Sequence, residues 1–115
     1  MNQASLPIRR ETQSKANVGL AWVEVSFASS LITKRGWLHQ VAVDLTAGGA
    51  TQAALRVRES SGGRILMSYE TLENLDLVYA DGRIWFDSAT LLVEVQTDDA
   101  GGTTGLDIEL TIEEL

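Results

Sequence analysis

The chain has 115 residues, with 9 Lys and Arg against 16 Asp and Glu, one His and no Cys. This length fits a single domain whose hydrophobic core can form without disulfides or metal. The absence of Cys excludes disulfide scaffolds, thiolate metal sites and Cys nucleophiles. The net charge of -7 argues against a nucleic-acid partner, because such binders need a surplus of Lys and Arg.

The charge is divided unevenly along the chain. Residues 1–57 carry 6 basic and 3 acidic residues, a net of +3, whereas residues 58–115 carry 3 basic and 13 acidic residues, a net of -10. Such a division can place a basic end and an acidic body on one molecule, which suits contacts between copies or with an acidic neighbour. The alternative is that two halves of a sequence do not form two halves of a surface.

The first predicted element is a polar segment, residues 1–17, which contains the only Pro. We expect an extended N-terminal arm that orders on a partner, with Leu6 and Ile8 as apolar anchors and Arg9 and Arg10 as charge contacts. A terminus without a function is the alternative. The segment lacks the continuous apolar stretch of a signal peptide, and nowhere does the chain approach the roughly 20 apolar residues of a membrane span.

From residue 18 onward, apolar and polar residues alternate with a period of two, which is typical of half-buried strands. Eight such runs are separated by turns rich in Gly and Asp. The runs are 20–28, 37–45, 51–59, 64–70, 75–80, 83–87, 90–97 and 106–114. They predict an all-β domain over residues 18–115, a two-sheet antiparallel sandwich of jelly-roll or Greek-key type, with a closed barrel as the alternative.

One turn can be predicted at the residue level. The dipeptide Asp81-Gly82 separates two apolar runs, which favours a two-residue type I′ hairpin turn. That hairpin would pair Tyr79 with Ile84 on the core face and would oppose Asp76 to Asp87 on the outer face. Two directly opposed carboxylates are unfavourable unless a cation or basic group compensates.

The sequence predicts no catalytic residue, cofactor or metal site. His39 is the only histidine, and no spacing supplies a nucleophile elbow or an HExxH motif, so a Ser–His–Asp arrangement around His39 is the one enzymatic alternative. Asp98 and Asp99 lie in a Gly-rich loop and offer the oxygens that calcium prefers. Because their spacing is not that of an EF-hand, solvated loop acids are the preferred interpretation.

Two tryptophans fall on predicted outer faces of strands, Trp22 beside Glu24 and Trp85 in the predicted hairpin. We expect a protein interface at these positions, since exposed Trp is a frequent hot spot of such interfaces. Cover by the chain's own arm and stacking on a carbohydrate are the second and third alternatives.

The runs LRVRESSGGRILMSYE (55–70) and LVYADGRIWFDSATLLVEVQT (77–97), in a small acidic chain without Cys, resemble the structural proteins of tailed bacteriophage particles. The resemblance is to jelly-roll capsid decoration (cement) proteins. It implies a non-enzymatic virion protein, assembled in the host cytoplasm, that bridges neighbouring subunits of the major capsid protein. It further implies a homo-oligomer, often a trimer, without nucleic-acid or membrane partners.

The expected partner interface comprises Leu6, Ile8, Arg9, Arg10, Trp22 and Trp85. A tail or baseplate accessory protein and a carbohydrate-binding sandwich module are the alternative functions.

Overall fold

The computed structural model describes residues 8–28, 35–74, 78–79, 82–88 and 90–115. Nine strands lie within these residues and form two antiparallel sheets, which confirms the predicted all-β sandwich. In chain order they are β1 (Ile8–Val18), β2 (Val23–Ser26), β3 (Arg35–Ala47), β4 (Gln52–Arg58), β5 (Ile65–Asn74), β6 (Val78–Tyr79), β7 (Ile84–Asp87), β8 (Leu92–Thr97) and β9 (Thr104–Glu114).

The strands are ordered in the two sheets so that early strands of the chain pair with late ones. One sheet has the order β1-β9-β3, with β6 and β7 both paired to the far edge of β3, and the other has the order β2-β8-β4-β5. The pairs β1–β9, β2–β8, β3–β6/β7 and β4–β5 are therefore nested around the connection between β4 and β5. This nesting, counted with β6 and β7 as one interrupted strand, is the jelly-roll arrangement.

The predicted hairpin at Asp81-Gly82 is wrong. Both β6 and β7 pair antiparallel with β3, with Tyr79 opposite Val41 and Ile84 opposite Leu38, so they run in the same direction and do not pair with each other. The 13-residue strand β3 offers a continuous edge that satisfies the backbone of both segments. Gly82 does adopt a positive φ of 87°, but the strands before and after it both pair with β3 and not with each other. Asp76 and Asp81 lie outside the described residues.

Residues 8–17, which the sequence analysis assigned to the arm, lie in β1, an edge strand of the five-stranded sheet. It pairs in regular register with β9 from Ile8 opposite Glu113 to Lys15 opposite Leu106. The alternation of apolar and polar residues did not identify this strand, because its half-buried, inward-facing positions from 9 to 15 are all polar. These positions are Arg9, Glu11, Gln13 and Lys15. Leu6 and the rest of residues 1–7 lie outside the part of the chain that the structure describes.

The hydrophobic core lies between the two sheets and takes alternate side chains from their strands. On β9 the inward positions 106, 108, 110 and 112 are fully buried, as the alternation in the sequence predicts. The largest fully buried side chains are Phe27, Phe86, Leu38, Leu55, Met67, Leu91, Leu106, Ile108, Leu110 and Ile112. The opposite face of each sheet points away from the core, and its side chains are mainly polar or aromatic.

Candidate functional site

A cross-strand row on the outer face of the five-stranded sheet forms the candidate site. Ile8 of β1 lies opposite Glu113 of β9, Glu113 lies opposite Trp37 of β3, and Trp37 lies opposite Trp85 of β7. We call Ile8, Glu113, Trp37 and Trp85 the outer row. Antiparallel pairing places these four side chains on one face because their sequence neighbours Ile112, Leu38 and Phe86 are buried in the core.

The two tryptophans of the outer row pack against each other. Their ring centroids are 5.0 Å apart and the ring planes make an angle of 65°, an edge-to-face contact. The guanidinium of Arg83 covers the ring of Trp37, with its Cζ atom 3.6 Å from the ring centroid. Trp37 is thus enclosed by its neighbours, whereas Trp85 remains 37% exposed.

Glu113 is the polar centre of the outer row. Its carboxylate accepts hydrogen bonds from Arg83 Nε (3.2 Å) and Nη2 (2.9 Å), and its Oε1 lies 2.9 Å from Nε2 of His39. The hydrogen bonds from Arg83, followed by the contact with His39, lower the pKa of Glu113. The carboxylate therefore stays ionised and fixes both side chains around the tryptophan pair.

His39 shares the outer face with Trp37, because the side chain of Leu38 between them is buried in the core. The imidazole is half-buried there, next to an irregularity in the pairing of β3 with β9 between Leu38 and Gln40. The Ser–His–Asp alternative needs a hydroxyl nucleophile on this imidazole. Among the hydrogen bonds of the described residues, the partner of the His39 side chain is the carboxylate of Glu113.

The outer row has an exposed apolar side chain at each end and another nearby. Ile8 is 62% exposed at one end of the row and Trp85 is at the other. Leu115, which is 52% exposed, follows β9 and donates its backbone N–H to the carbonyl oxygen of Arg35. This end of the sheet therefore combines an apolar surface with a fixed ionic cluster.

The structure separates the residues that the sequence placed together in the arm. Ile8 and Arg10 lie on the outer face, and the largely exposed Arg10 has its Nε 3.9 Å from Glu109. Arg9 instead points inward and forms ion pairs with Glu11 and Glu114. Arg9 therefore supports the sheet edge of its own chain.

Trp22 lies over the other sheet, among charged side chains of that sheet's outer face. The guanidinium of Arg56 covers its ring, with Cζ 4.2 Å from the ring centroid. The same guanidinium binds Glu94 (2.7 Å) and Glu70 (2.6 Å), and these hydrogen bonds, that of Glu94 first, raise the pKa of Arg56. The two predicted interface tryptophans, Trp22 and Trp85, thus belong to opposite faces of the sandwich.

Trp37, Arg83 and Glu113 are the residues that the sequence did not single out for the site. Trp37 meets Trp85 only because β3 pairs with β7, and Glu113 joins them only because β3 also pairs with β9. The alternation in each strand indicated an outward position for Glu113. No local signal showed which strands would be neighbours.

The acidic loop after β8 is held by the chain's own donors. Asp98 accepts hydrogen bonds from the hydroxyl and backbone N–H of Thr51 and from the N–H of Gln52. Asp99 accepts from Thr103 and Thr104 and from the N–H of Gly101. Both carboxylates therefore stabilise the conformation of the loop. The described residues contain no group of three or more acidic, His or Cys side chains arranged to hold a metal.

The described residues also contain no helix that is long and apolar enough to cross a membrane. Comparisons with known proteins give no significant match: no family model matches the chain, no curated protein matches its sequence and no solved structure matches its fold.

Proposed function

We propose that the protein is a non-enzymatic virion structural protein of the capsid decoration (cement) type. It binds neighbouring subunits of the major capsid protein through the outer face of its five-stranded sheet. The observation that carries the proposal is the outer row, in which the exposed side chains of Ile8 and Trp85 flank a fixed ionic cluster. Two cross-strand partners, Glu113 and Trp37, connect these apolar ends.

The chemistry of the outer row suits a protein partner. Interface hot spots are enriched in Trp, Tyr and Arg, and they work best where the side chains are already ordered before binding. Trp85 is held by Trp37, and Arg83 is held by Glu113, so binding would cost little additional side-chain entropy. The jelly-roll fold adds support by analogy, since it recurs in viral capsid proteins.

A contact between a basic arm and an acidic neighbour is not required for this binding. Arg9 and Arg10 already lie against the acidic strand β9 of their own chain, at Glu114 and Glu109 respectively. The expected contact is therefore made by the exposed apolar side chains of Ile8 and Trp85, with the ionic cluster around Glu113 between them.

The direct test begins with particles purified on density gradients from cells that produce this chain. Mass spectrometry should find the chain in stoichiometric amounts in these particles, and labelling in the electron microscope should place it on the head. Absence of the chain from the particles would contradict the proposal. Labelling of the tail would favour the alternative of a tail or baseplate accessory protein.

The site is then tested by adding purified protein to particles that lack it. Trp85→Ser should weaken binding about tenfold or more, because it removes the exposed aromatic side chain at the end of the outer row. Ile65→Ser is the matched control, since Ile65 is an exposed apolar residue on β5 of the other sheet. Equal binding of both variants would rule out the outer row as the docking surface.

Carbohydrate binding is the second candidate function. It is favoured by the edge-to-face tryptophan pair, which leaves Trp85 partly exposed next to the polar groups of Arg83 and Glu113. A sugar platform requires such an aromatic side chain flanked by hydrogen-bonding groups. Binding of the wild-type chain on a glycan array that is lost in Trp85→Ser would support this function. An array on which the wild-type chain gives no signal would contradict it.

A further inference from the structure

On the outer face of the four-stranded sheet, one arginine has both edges of its guanidinium bound. Arg56 lies over the ring of Trp22 and donates from Nε (2.7 Å) and Nη2 (3.5 Å) to the carboxylate of Glu94. Its Nη1 atom donates to a second carboxylate, that of Glu70 (2.6 Å). A guanidinium that covers a tryptophan ring therefore holds two carboxylates at once in this molecule.

Arg83 repeats this arrangement on the opposite face of the sandwich, but with one carboxylate. It lies over the ring of Trp37 and donates from Nε (3.2 Å) and Nη2 (2.9 Å) to Glu113. Within the residues that the structure describes, no acceptor is hydrogen-bonded to its Nη1 atom. The place that Glu70 fills beside Arg56 thus has no counterpart beside Arg83 among these residues.

Two ion pairs beside Trp85 expose their cations and cover their anions. The side chain of Arg83 is 49% exposed, whereas that of its partner Glu113 is 12% exposed. Arg64, which donates to the carbonyl oxygen of Trp85 (2.7 Å), has a side chain 55% exposed, and that of its partner Glu59 is 16% exposed. Both pairs therefore present positive charge to a molecule that approaches Trp85, although the chain has a net charge of -7.

We propose that the open edge of the Arg83 guanidinium binds a carboxylate of the docking partner, while Trp85 contacts an apolar group beside that carboxylate. The inference rests on the proposed function, because it names the chemistry that the outer row recognises on the major capsid protein. The recognised segment is an acidic residue next to an aliphatic or aromatic one.

An acidic protein segment fits both parts of this site. Hydrogen bonds between a guanidinium and a carboxylate are charge-assisted and stronger than those to a neutral acceptor, and the exposed Ile8 and Trp85 favour apolar side chains nearby. The exposed acid of β7, Asp87, lies directly opposite Arg35, so these two have an oppositely charged neighbour within the chain. Arg83, by contrast, has an edge for a second carboxylate, which the partner would supply.

The guanidinium of Arg83 is ordered before the partner arrives. The carboxylate of Glu113 fixes one edge of the group, and the ring of Trp37 lies against its plane. A planar fork that is already held loses little freedom when it forms further hydrogen bonds. The site therefore favours a ligand whose carboxylate approaches in the plane of the guanidinium.

The first experiment uses a small probe and needs no particle. Binding of 3-phenylpropionate, a carboxylate with an apolar ring, is followed by NMR through the indole N–H signals of the tryptophans. The signals of Trp85 and Trp37 should shift. That of Trp22 is the internal control and should not, because the guanidinium over its ring already binds two carboxylates.

The neutral analogue 3-phenylpropionamide should bind about fivefold or more weakly, since it cannot form the charge-assisted hydrogen bond. Equal binding of the acid and the amide to the wild-type chain would overturn the proposal, as would an acid that shifts neither Trp85 nor Trp37. This comparison needs no substitution and so does not depend on the folding of a variant.

Variants of Arg83 then locate the carboxylate. Arg83→Gln should weaken binding of 3-phenylpropionate about fivefold or more and should make the acid and the amide bind alike. Arg83→Lys keeps the charge but loses the planar fork, and should bind with intermediate affinity. Unchanged binding of the acid in Arg83→Gln would place the carboxylate elsewhere and overturn the proposal.

The last experiment asks whether the partner supplies the carboxylate. Particles that lack the chain are treated with carbodiimide and glycinamide, which converts exposed carboxylates into neutral amides, and glycinamide alone is the control. Binding of the wild-type chain should fall about tenfold or more on the amidated particles, and Arg83→Gln should bind untreated particles more weakly to a similar extent.

The outcomes separate this proposal from the proposed function. If Trp85→Ser weakens particle binding but Arg83→Gln and amidation do not, the proposal fails and the proposed function stands. A wild-type chain that binds 3-phenylpropionate but no particle would contradict the proposed function and the choice of partner. Binding of acidic glycans in place of particles would assign the carboxylate to a carbohydrate and overturn the choice of a protein segment.

Discussion

Glu94 is the acceptor of two guanidinium groups on the outer face of the four-stranded sheet. Its Oε1 lies 2.7 Å from Arg56 Nε and 2.5 Å from Arg58 Nε, and its side chain is largely buried. Burial alone would raise the pKa of Glu94, but the hydrogen bonds from the two arginines outweigh it and lower the pKa. The carboxylate thus compensates two charges on neighbouring positions of β4.

Replacing Glu94 with Gln should lower the free energy of unfolding by about 1–3 kcal/mol, because two partly buried guanidinium groups lose their ionised acceptor. Chemical denaturation measures the difference. Glu24→Gln is the matched control: Glu24 lies directly opposite Glu94 on β2 and is exposed, so removing its like charge should leave stability equal or slightly higher. A larger loss in Glu24→Gln than in Glu94→Gln would contradict this assignment.

Asp98 makes stability depend on pH. The hydrogen bonds from the Thr51 hydroxyl and from the backbone N–H groups of Gln52 and Thr51 lower its pKa from 3.8 to about 2. Because the folded chain binds this proton more weakly than the unfolded chain, the contribution is complete above the unfolded value near pH 4. It is lost as the pH falls through about 2.

The stability of the wild type should therefore decrease between pH 4 and pH 2, and Asp98→Asn should show a smaller decrease. Denaturant unfolding at a series of pH values measures both slopes. Thr51→Val removes only the side-chain hydrogen bond and should give an intermediate slope, since the backbone donors remain. Identical slopes in wild type and Asp98→Asn would show that the loop contacts do not favour the ionised carboxylate.

At the scale of the elements, the contact between β3 and β9 depends on one glycine. Gly36 lies opposite Glu114, and a Cβ atom added to it would be 2.1 Å from the backbone oxygen of Glu113. A side chain at this position therefore cannot be accommodated without moving one strand. The position also precedes Trp37, so it helps to set the place of the outer row.

Gly36→Ala should lower the free energy of unfolding by about 1–3 kcal/mol or more, as overpacked substitutions do. The matched control is Gly49→Ala, because a Cβ atom at Gly49 would have no neighbour within 4 Å. That variant should be neutral or more stable, since alanine restricts the unfolded chain. Thermal unfolding of the two variants compares them directly, and equal stabilities would refute the close approach at Gly36.

The elements also show which sequence patterns were reliable. β9 was predicted closely because its inward positions from 106 to 112 are aliphatic and the positions between them are polar, so the alternation is visible within this one segment. β1 was missed because its inward positions are polar and lie at the edge of the sandwich, where half-burial is sufficient. Inward-facing charges at sheet edges are a device against uncontrolled pairing. Strand formation by β1 therefore depends on its partner β9.

At the scale of the whole molecule, basic residues from the start of the chain lie against acidic residues from its last strand. The basic strand β1 pairs with the acidic strand β9, so Arg9 meets Glu114 and Arg10 approaches Glu109. The jelly-roll topology brings the first and the last strand of the described residues into one sheet, because β1 and β9 are the outermost of the nested pairs. The basic segment at the start of the sequence and the acidic segment at its end are therefore neighbouring strands of one sheet.

The sequence by itself determined the class of fold, since alternation and turn residues act within a few positions of each other. It also determined most strand positions, the outward direction of Trp85 and the exclusion of Cys chemistry. Only the tertiary structure decided that residues 8–17 belong to a sheet, that β6 and β7 share one edge, and that Trp85 meets Trp37. Pairing between strands is a long-range choice, made by the backbone hydrogen bonds and packing of segments far apart in the chain. Arg9, Arg10 and Arg56 lie against acidic residues far away in the sequence, which no local pattern could identify, and the excess of acids gives the net charge of -7.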